Sequence, residues 1–151
     1  MCTIVALRDV VPGRPFVLAA NRDEHYARAT LRPQRLGTTA TGEIMVGGVD
    51  EERGGTWLAV SSRLLVAVTN QRTFTPADPE RRSRGQLVVD TLRQGRLDDA
   101  LARLERVTPG DHNPCNLLVA APEGAWAVYL RDDRPVEGEV VPPGLHILPN
   151  D

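Results

Sequence analysis

Two amphipathic helical segments separate two groups of strand-like segments, and this order is the strongest constraint on the fold. Apolar residues recur at helical spacing in residues 84–94 and again in residues 97–106. Ser83 can cap the first segment and Gly95 can end it. The flanking segments are short, rich in Val, Ile, Leu and Thr, and divided by turns that contain Pro and Gly. Strands, then a helical pair, then strands again predict an α+β fold with antiparallel sheets in layers.

The strand-like segments pair into hairpins. We predict three of them, 3–7 with 15–20, 56–60 with 64–68, and 115–121 with 125–131, and weaker strands at 43–46 and 136–141. Loops are predicted at 24–36, a basic segment over one sheet edge that contains Pro33, at 49–53 and at 73–82. Paired glycines at 47–48 and 54–55 bracket the second loop, where they permit either a close backbone approach or simple mobility.

Composition restricts the functions open to the chain. A length of 151 residues predicts one domain, residues 1–151, with 41% hydrophobic and 25% charged residues, as in soluble globular proteins. The net charge of −2 gives no reason to expect nucleic acid or an anionic membrane surface as a partner. All 18 basic residues are arginine, which excludes a Schiff-base lysine, a pyridoxal-phosphate anchor and a P-loop lysine.

Cysteine content and hydropathy point to a reduced, cytoplasmic location. Cys2 and Cys115 are too sparse for a disulfide framework, and no Cys or His spacing suggests zinc, so we expect neither a metal nor another cofactor. The N-terminus lacks the basic and apolar regions of a secretory signal. The longest apolar runs are too short to span a bilayer.

The opening hairpin carries the candidate chemistry. Methionine aminopeptidase removes an initiator Met that precedes a small side chain, which would leave Cys2 with a free α-amino group beside its thiol. That amino group titrates near pH ~7.7–8 and can act as the base for the thiol. The returning strand ends at Arg22 and Asp23, close to Cys2, which is typical of an N-terminal-nucleophile amidohydrolase. The alternative is a buried structural cysteine and an ordinary surface ion pair.

Several motifs occur in the order that is seen in one protein family. They are Met1-Cys2-Thr3, Ala20-Asn21-Arg22-Asp23-Glu24, Gly54-Gly55-Thr56-Trp57-Leu58, Val68-Thr69-Asn70-Gln71-Arg72, Asn116-Leu117-Leu118 and Gly144-Leu145-His146-Ile147-Leu148-Pro149-Asn150. Together they resemble the NRDE family, also called the transport and Golgi organisation protein 2 family, along the whole chain. The family resembles N-terminal-nucleophile hydrolases of the choloylglycine hydrolase and penicillin V acylase type. The resemblance implies an αββα sandwich.

The resemblance also implies roles for individual residues. Cys2 would be the nucleophile with its own amino group as base, and Asp23 would hold that amino group. Asn70 would donate an amide N–H to the oxyanion, and Asn150 resembles a second asparagine that serves the same site. Arg22 is a candidate too, although the hydrolases place their arginine differently relative to the aspartate.

The C-terminal side departs from the family pattern. Family members usually continue beyond the stretch that ends at Asn150, so the sandwich is expected to be incomplete there, and a late basic residue of the hydrolases has no counterpart. Open sheet edges and uncovered apolar faces would favour self-association.

Two functions therefore remain open, beside a degenerate fold with neither activity. The first is hydrolysis of a C–N amide or thioester bond of a small acyl compound through an acyl-Cys2 intermediate. The second is non-catalytic binding or trafficking of haem or an acyl lipid, with Cys2, His25, His112 and His146 as candidate haem ligands but no haem-attachment motif.

Overall fold

The computed structural model describes residues 2–73 and 76–150. These residues form strands β1 (Thr3–Val11), β2 (Arg14–Asn21), β3 (Thr30–Thr38), β4 (Ile44–Asp50), β5 (Leu58–Val60) and β6 (Leu65–Asn70), helices α1 (Arg84–Leu92) and α2 (Leu97–Glu105), and strands β7 (Cys115–Ala121), β8 (Gly124–Leu130), β9 (Glu137–Val140) and β10 (Gly144–Leu148). The α+β class, the three hairpins and both helices are confirmed. Residues 74–75 of the loop predicted at 73–82 lie outside the described residues.

The strands form two antiparallel sheets. The larger one has the order β3-β4-β5-β6-β7-β8-β9, and the smaller one has the order β10-β1-β2. Strand β6 lies in the middle of the larger sheet and is apolar on both faces, because Val66 packs with the helices and Ala67 packs with the smaller sheet. The near-continuous apolar run of this strand predicted such two-sided burial.

The two helices cover one face of the larger sheet. The Ser83 hydroxyl accepts a hydrogen bond from the Gln86 N–H at 3.3 Å and caps α1, and Gly95 follows the helix with a φ of 77°. Leu87, Leu92 and Leu104 are fully buried against the sheet. Helix α2 carries acidic side chains in its first turn, and their negative charge interacts favourably with the positive end of the helix dipole.

The opposite face of the larger sheet packs on the smaller sheet. Ile4 and Ala6 of β1 meet a layer of small side chains from the larger sheet, including Ala67, Ala120 and Ala127. Small side chains on facing strands let two sheets approach closely. The described residues thus form three layers: helices, a seven-stranded sheet and a three-stranded sheet.

Two predictions about loops are wrong. Residues 30–38 form the edge strand β3, not a loop, and the register with β4 shifts between Leu31 and Gln34, around Pro33. An edge strand tolerates a proline because one row of its backbone groups has no partner strand. Val49 and Asp50 end β4 and do not belong to a loop. Gly48 packs against Trp57, since a Cβ there would come within 2.7 Å of the indole ring.

The last strand closes the smaller sheet. Strand β10 pairs with β1, with Ile4 opposite Leu148 and Leu7 opposite Leu145. Alternate residues of β10 point away from the larger sheet, and Leu145 and Ile147 are 62% and 61% exposed. No helix of the described residues has the length and apolar character that a bilayer crossing requires.

Candidate active site

A cavity of about 310 Å³ opens where the smaller sheet, the centre of the larger sheet and helix α1 meet. Cys2 lies just before β1, Arg22 just after β2, Asn70 at the end of β6 and Arg84 at the start of α1. The loop at 50–57 and residues 77–79 complete the walls. Four elements that are distant in sequence thus deliver side chains to one cleft.

The Cys2 thiol is half-buried in this cavity. The main-chain N–H of Asp23 donates to Sγ at 3.3 Å, a contact that the β1–β2 register produces by pairing Thr3 with Asn21. Burial raises the pKa of the Cys2 thiol above its ordinary value, and Glu24 adds to this rise, while the positive charges of the chain N-terminus, Arg22 and Arg84 oppose it. The thiol is therefore protonated near neutral pH unless a base removes its proton.

Asn150 connects Cys2 to the centre of the larger sheet. With its carboxamide oriented to satisfy its neighbours, Nδ2 donates to Cys2 O at 2.8 Å and to Asn70 O at 3.2 Å, and Oδ1 accepts from Cys2 N at 3.3 Å. The Arg72 N–H donates to Asn150 O at 2.6 Å. Both ends of the Asn150 amide are thus occupied by main chain, so its place in the structure is to position Cys2.

A buried polar network holds the segment that carries Asn150. The Thr69 hydroxyl and the Asn116 amide donate to Pro149 O at 2.9 and 3.1 Å, and Gln71 Nε2 donates to Asn116 Oδ1 at 2.6 Å. Thr69 and Asn116 face each other across β6 and β7. Asn116 and Gln71 stood in the quoted motifs, yet nothing local in the sequence assigned them to the support of Asn150.

Asn70 differs from Asn150 in having a side chain that is open to the cavity. It is the last residue of β6 and shares a face with Val68, which also lines the cleft. Among residues 2–73 and 76–150, no group hydrogen-bonds to the Asn70 carboxamide. Its amide is therefore available to a molecule in the cavity.

Arg22 lies in the cavity wall but is held by its neighbours. Its guanidinium stacks over the Trp57 ring at 4.4 Å from the centroid, a cation–π contact, and lies 3.6 Å from Glu24. Glu24 in turn lies 3.5 Å from Arg28. Asp23 is exposed and meets the thiol through its main chain.

A charged network forms the outer wall. Arg28 Nη2 donates to the buried Asp50 carboxylate at 2.5 Å. Burial alone would raise the pKa of Asp50, but hydrogen bonds from Arg28 and from the backbone of Glu52 and Arg53 lower it overall. Asp50 thus stays ionised and closes the turn that leads to Gly55.

A close backbone contact requires a glycine at position 55. Gly55 has a φ of 84°, and a Cβ there would come within 2.2 Å of the Gly85 backbone. The Thr56 N–H donates to Gly85 O at 3.1 Å. Gly55 therefore allows the loop to touch the first turn of α1.

The three histidines lie apart from the cleft. His112 is buried, with Nδ1 3.0 Å from Arg82 O, and burial lowers its pKa. His146 Nε2 lies 2.7 Å from Pro142 O beside a second cavity of about 190 Å³, and His25 is exposed. None of these three lines the cavity that contains Cys2. In the described ranges, no group of three or more His, Cys, Asp or Glu side chains could hold a metal ion.

Comparison with family models decides the family. The model described as Transport and Golgi organisation 2 matches residues 1–151. This chain belongs to the Transport and Golgi organisation 2 family. The family that the motifs indicated is confirmed, and the relatives agree with it.

Relatives in animals carry the same family name. The chain is 32% identical over 143 residues to the mouse Transport and Golgi organization 2 homolog, a match that covers 89% of this chain and 50% of the mouse protein. It is 33% identical over 142 residues to the human homolog, with the same coverage. The chain thus spans about half the length of these relatives.

A solved structure shares the fold. The Caenorhabditis elegans N-acylethanolamine-hydrolyzing acid amidase ortholog superimposes with a TM-score of 0.66 over 99% of this chain and 70% of that protein, at 13% identity. The likeness covers almost the whole chain, so the hydrolase-like fold expected from the motifs is confirmed.

Proposed function

We propose that this family member is an N-terminal cysteine hydrolase that cleaves a C–N amide bond, or a thioester, of a small acyl compound. The observation that carries the proposal is the half-buried Cys2 thiol at the start of the chain. It shares a cavity with the Asn70 carboxamide, to which no described residue hydrogen-bonds, while Asn150 holds the Cys2 main chain. A nucleophile and an oxyanion donor that meet in one cleft are the minimum for acyl transfer.

The chemistry begins with removal of Met1, which lies outside the described residues. The freed α-amino group of Cys2 takes the thiol proton, and Asn150 Oδ1, which accepts from this nitrogen, orients it. Asp23 is proposed to hold the amino group as well. The thiolate attacks the substrate carbonyl carbon, and the carbonyl oxygen gains negative charge.

Asn70 is proposed to donate to this oxyanion, and one such donor stabilises a transition state by about 3–4 kcal/mol. Arg22 is proposed to add positive charge from the cavity wall. The tetrahedral species collapses to acyl-Cys2 as the leaving amine takes the proton from the α-ammonium group. The α-amino group of Cys2, now neutral, takes a proton from water as the water attacks acyl-Cys2. It then returns this proton to the departing thiolate, which releases the acid and restores the thiol.

Fold and cavity size support this proposal. The structural neighbour is by its title an amidase, and the same cleavage of an amide is proposed here. The cavity of about 310 Å³ is at the lower end of the range for ligand pockets, about 300–1,000 Å³, which favours a small substrate. Thiolate chemistry needs a reduced sulfur, so a reducing, cytoplasmic location belongs to the proposal.

A binding or trafficking role is the alternative, and one observation favours it. The second cavity, of about 190 Å³, lies between the sheets and is lined mainly by apolar side chains such as Ile4, Leu118 and Leu148. An acyl chain could enter such a space without reaching Cys2. For haem, a Soret band that forms with haemin and is lost in Cys2→Ala would support this alternative.

Intact-mass measurement tests the proposal. The native protein should lack the mass of Met1, and a short iodoacetamide pulse should add one carbamidomethyl group, at Cys2. Burial raises the pKa of Cys115 to about 12, so this second thiol is an internal control that should stay unmodified. A panel of activated acyl esters and amides should then leave a transient acyl adduct on Cys2. A native protein that retains Met1 would rule out the mechanism.

A further inference from the structure

Helix α1 places an arginine in the cavity that forms no ion pair with a carboxylate of the described residues. Arg84 is the first residue of α1, is largely buried and lines the cleft together with Cys2 and Asn70. Its one hydrogen bond among the described residues runs from Nη1 to Pro114 O at 3.3 Å. No carboxylate of residues 2–73 and 76–150 lies within ion-pair distance of its guanidinium.

The other arginines around the cleft are either paired or exposed. Arg22 and Arg28 share Glu24, and Arg28 also pairs with Asp50. Arg82 lies 3.7 Å from Asp90, and the exposed Arg53 donates to Arg81 O. Within the described part of the chain, Arg84 is therefore the cavity arginine that is largely buried and lacks an ion-pair partner, and the more distant charge of Glu24 offsets only part of its burial.

A buried charge without a partner is costly, so such groups are usually matched by a ligand or by a counter-charge. Burial lowers the pKa of the Arg84 guanidinium from its ordinary high value, which shows the cost of desolvation, yet a guanidinium remains charged at neutral pH. Its planar donor groups match the two oxygens of a carboxylate or a phosphate. Several donor groups remain for a ligand, because Pro114 O takes only one of them.

We propose that Arg84 is the specificity-determining residue of this cleft and binds an oxyanion of the substrate, which makes the substrate a small acyl amide or thioester with a carboxylate or phosphate group. The inference rests on the proposed function for the reacting bond, but the binding step does not depend on turnover. An N-acyl amino acid is the simplest compound of this class. Its carboxylate lies one carbon from the amide nitrogen, so a cavity of about 310 Å³ can hold both groups.

Arg84 could instead act only on the nucleophile, since its charge lowers the pKa of the Cys2 thiol. The two roles differ in an observable way. A charge that acts only on the thiol changes the rates of anionic and neutral alkylating reagents by the same factor. A charge that binds an oxyanion favours the anionic reagent, so the ratio of the two rates reports the second role.

The first experiment compares iodoacetate with iodoacetamide on the native protein. For Cys2, the rate with iodoacetate divided by the rate with iodoacetamide should be about tenfold higher than the same ratio for a cysteine in a short unstructured peptide. The ratio for Cys2 should fall most of the way toward the peptide value in Arg84→Gln, with a remainder from Arg22, and be partly retained in Arg84→Lys. Arg93→Gln is the matched control, because it removes the same charge from the far end of α1, where Arg93 pairs with Asp90 at 3.0 Å. An equal ratio in wild type and Arg84→Gln overturns the proposal.

The second experiment measures binding without turnover. In Cys2→Ala, N-acetylglycine and acetamidomethylphosphonate should bind at least tenfold more tightly than neutral N-acetylglycinamide. A difference in affinity between N-acetylglycine and acetamidomethylphosphonate shows whether the site prefers a carboxylate or a phosphate-like group. The preference should vanish in Cys2→Ala/Arg84→Gln and persist in Cys2→Ala/Arg93→Gln. Equal binding of all three compounds overturns the inference, even if amides are hydrolysed. Selective binding without any hydrolysis in the wild type overturns the proposed function but supports the anion site.

Discussion

At the level of single residues, the side-chain amides of two asparagines in the candidate site differ in their hydrogen bonds. Asn150 uses both ends of its amide on main chain, whereas no described residue hydrogen-bonds to the carboxamide of Asn70. Sequence motifs treated the two as equivalent members of one site. Their difference follows from where β6 and β10 end relative to Cys2.

Asn70→Ala should lower kcat for amide or thioester hydrolysis by about 10²–10³, because the oxyanion loses a preorganised donor. The measurement is steady-state hydrolysis of the substrate identified by the acyl-adduct screen, with thermal unfolding to verify the fold. Gln94→Ala is the control, since it removes an amide at the end of α1 whose side-chain hydrogen bond, within the described residues, goes to Asp90 O. An unchanged kcat in Asn70→Ala would show that Asn70 does not contact the transition state.

At the scale of elements, close contacts between connecting loops and helix ends decide where the site residues lie. The loop after β4 touches the start of α1 through Gly55 and Gly85. The turn between β3 and β4 closes on itself through Glu43, whose carboxylate accepts hydrogen bonds from the Thr39 and Thr41 hydroxyls. Each of these contacts leads to a prediction about the stability of the protein.

Gly55→Ala should destabilise the protein by more than Gly54→Ala. Both glycines have positive φ, 84° and 65°, so both variants bear the cost of a left-handed conformation, about 1–2 kcal/mol. Only at Gly55 would the added Cβ also collide with the backbone of α1, whereas nothing lies within 4 Å at Gly54. Urea unfolding of both variants gives the difference. Equal destabilisation would mean that the loop and the helix do not touch in solution.

Glu43 should make stability depend on pH in the acid range. Hydrogen bonds from Thr39 and then Thr41 lower the pKa of Glu43 from 4.5 to about 2. A depressed folded-state pKa contributes stability that is present above about pH 4.5 and is lost as the pH falls toward 2. Urea unfolding midpoints at pH 5, 4 and 3 should decline more steeply in the wild type than in Glu43→Gln. Parallel declines would contradict the assignment.

At the scale of the whole molecule, the smaller sheet is covered on one side only. Its inner face packs on the larger sheet through Ile4 and Ala6, while Leu145 and Ile147 on its outer face are more than half exposed. No described helix lies over that face. Exposed apolar surface on a short sheet with open edges favours self-association.

The chain should therefore self-associate as its concentration rises, with a second copy covering the outer face of the smaller sheet. Sedimentation velocity should show a concentration-dependent increase in mass that Leu145→Thr/Ile147→Thr reduces. Ile44→Thr is the control, since Ile44 is also 54% exposed but lies on β4 of the larger sheet. A wild-type chain that stays monomeric, or equal effects of both changes, would contradict this prediction.

The order of strands and helices can be predicted from the amino-acid sequence, because turn residues, caps and apolar periodicity are local signals. The family can be predicted in the same way, because motifs such as the one at 21–24 are contiguous. The predictions that proved wrong are those in which a local signal conflicts with the tertiary context. Pro33 predicts a loop, but the segment that contains it forms an edge strand, where a proline is tolerated.

The assembly of the candidate site depends on tertiary packing and could not be predicted from the sequence. The pairing of β10 with β1 brings Asn150 to Cys2, across nearly the full length of the chain. The contact between Gly55 and Gly85 sets Arg84 in the same cleft. Contacts between residues so far apart depend on the packing of whole elements against one another, and the periodicity of a single segment carries no record of them.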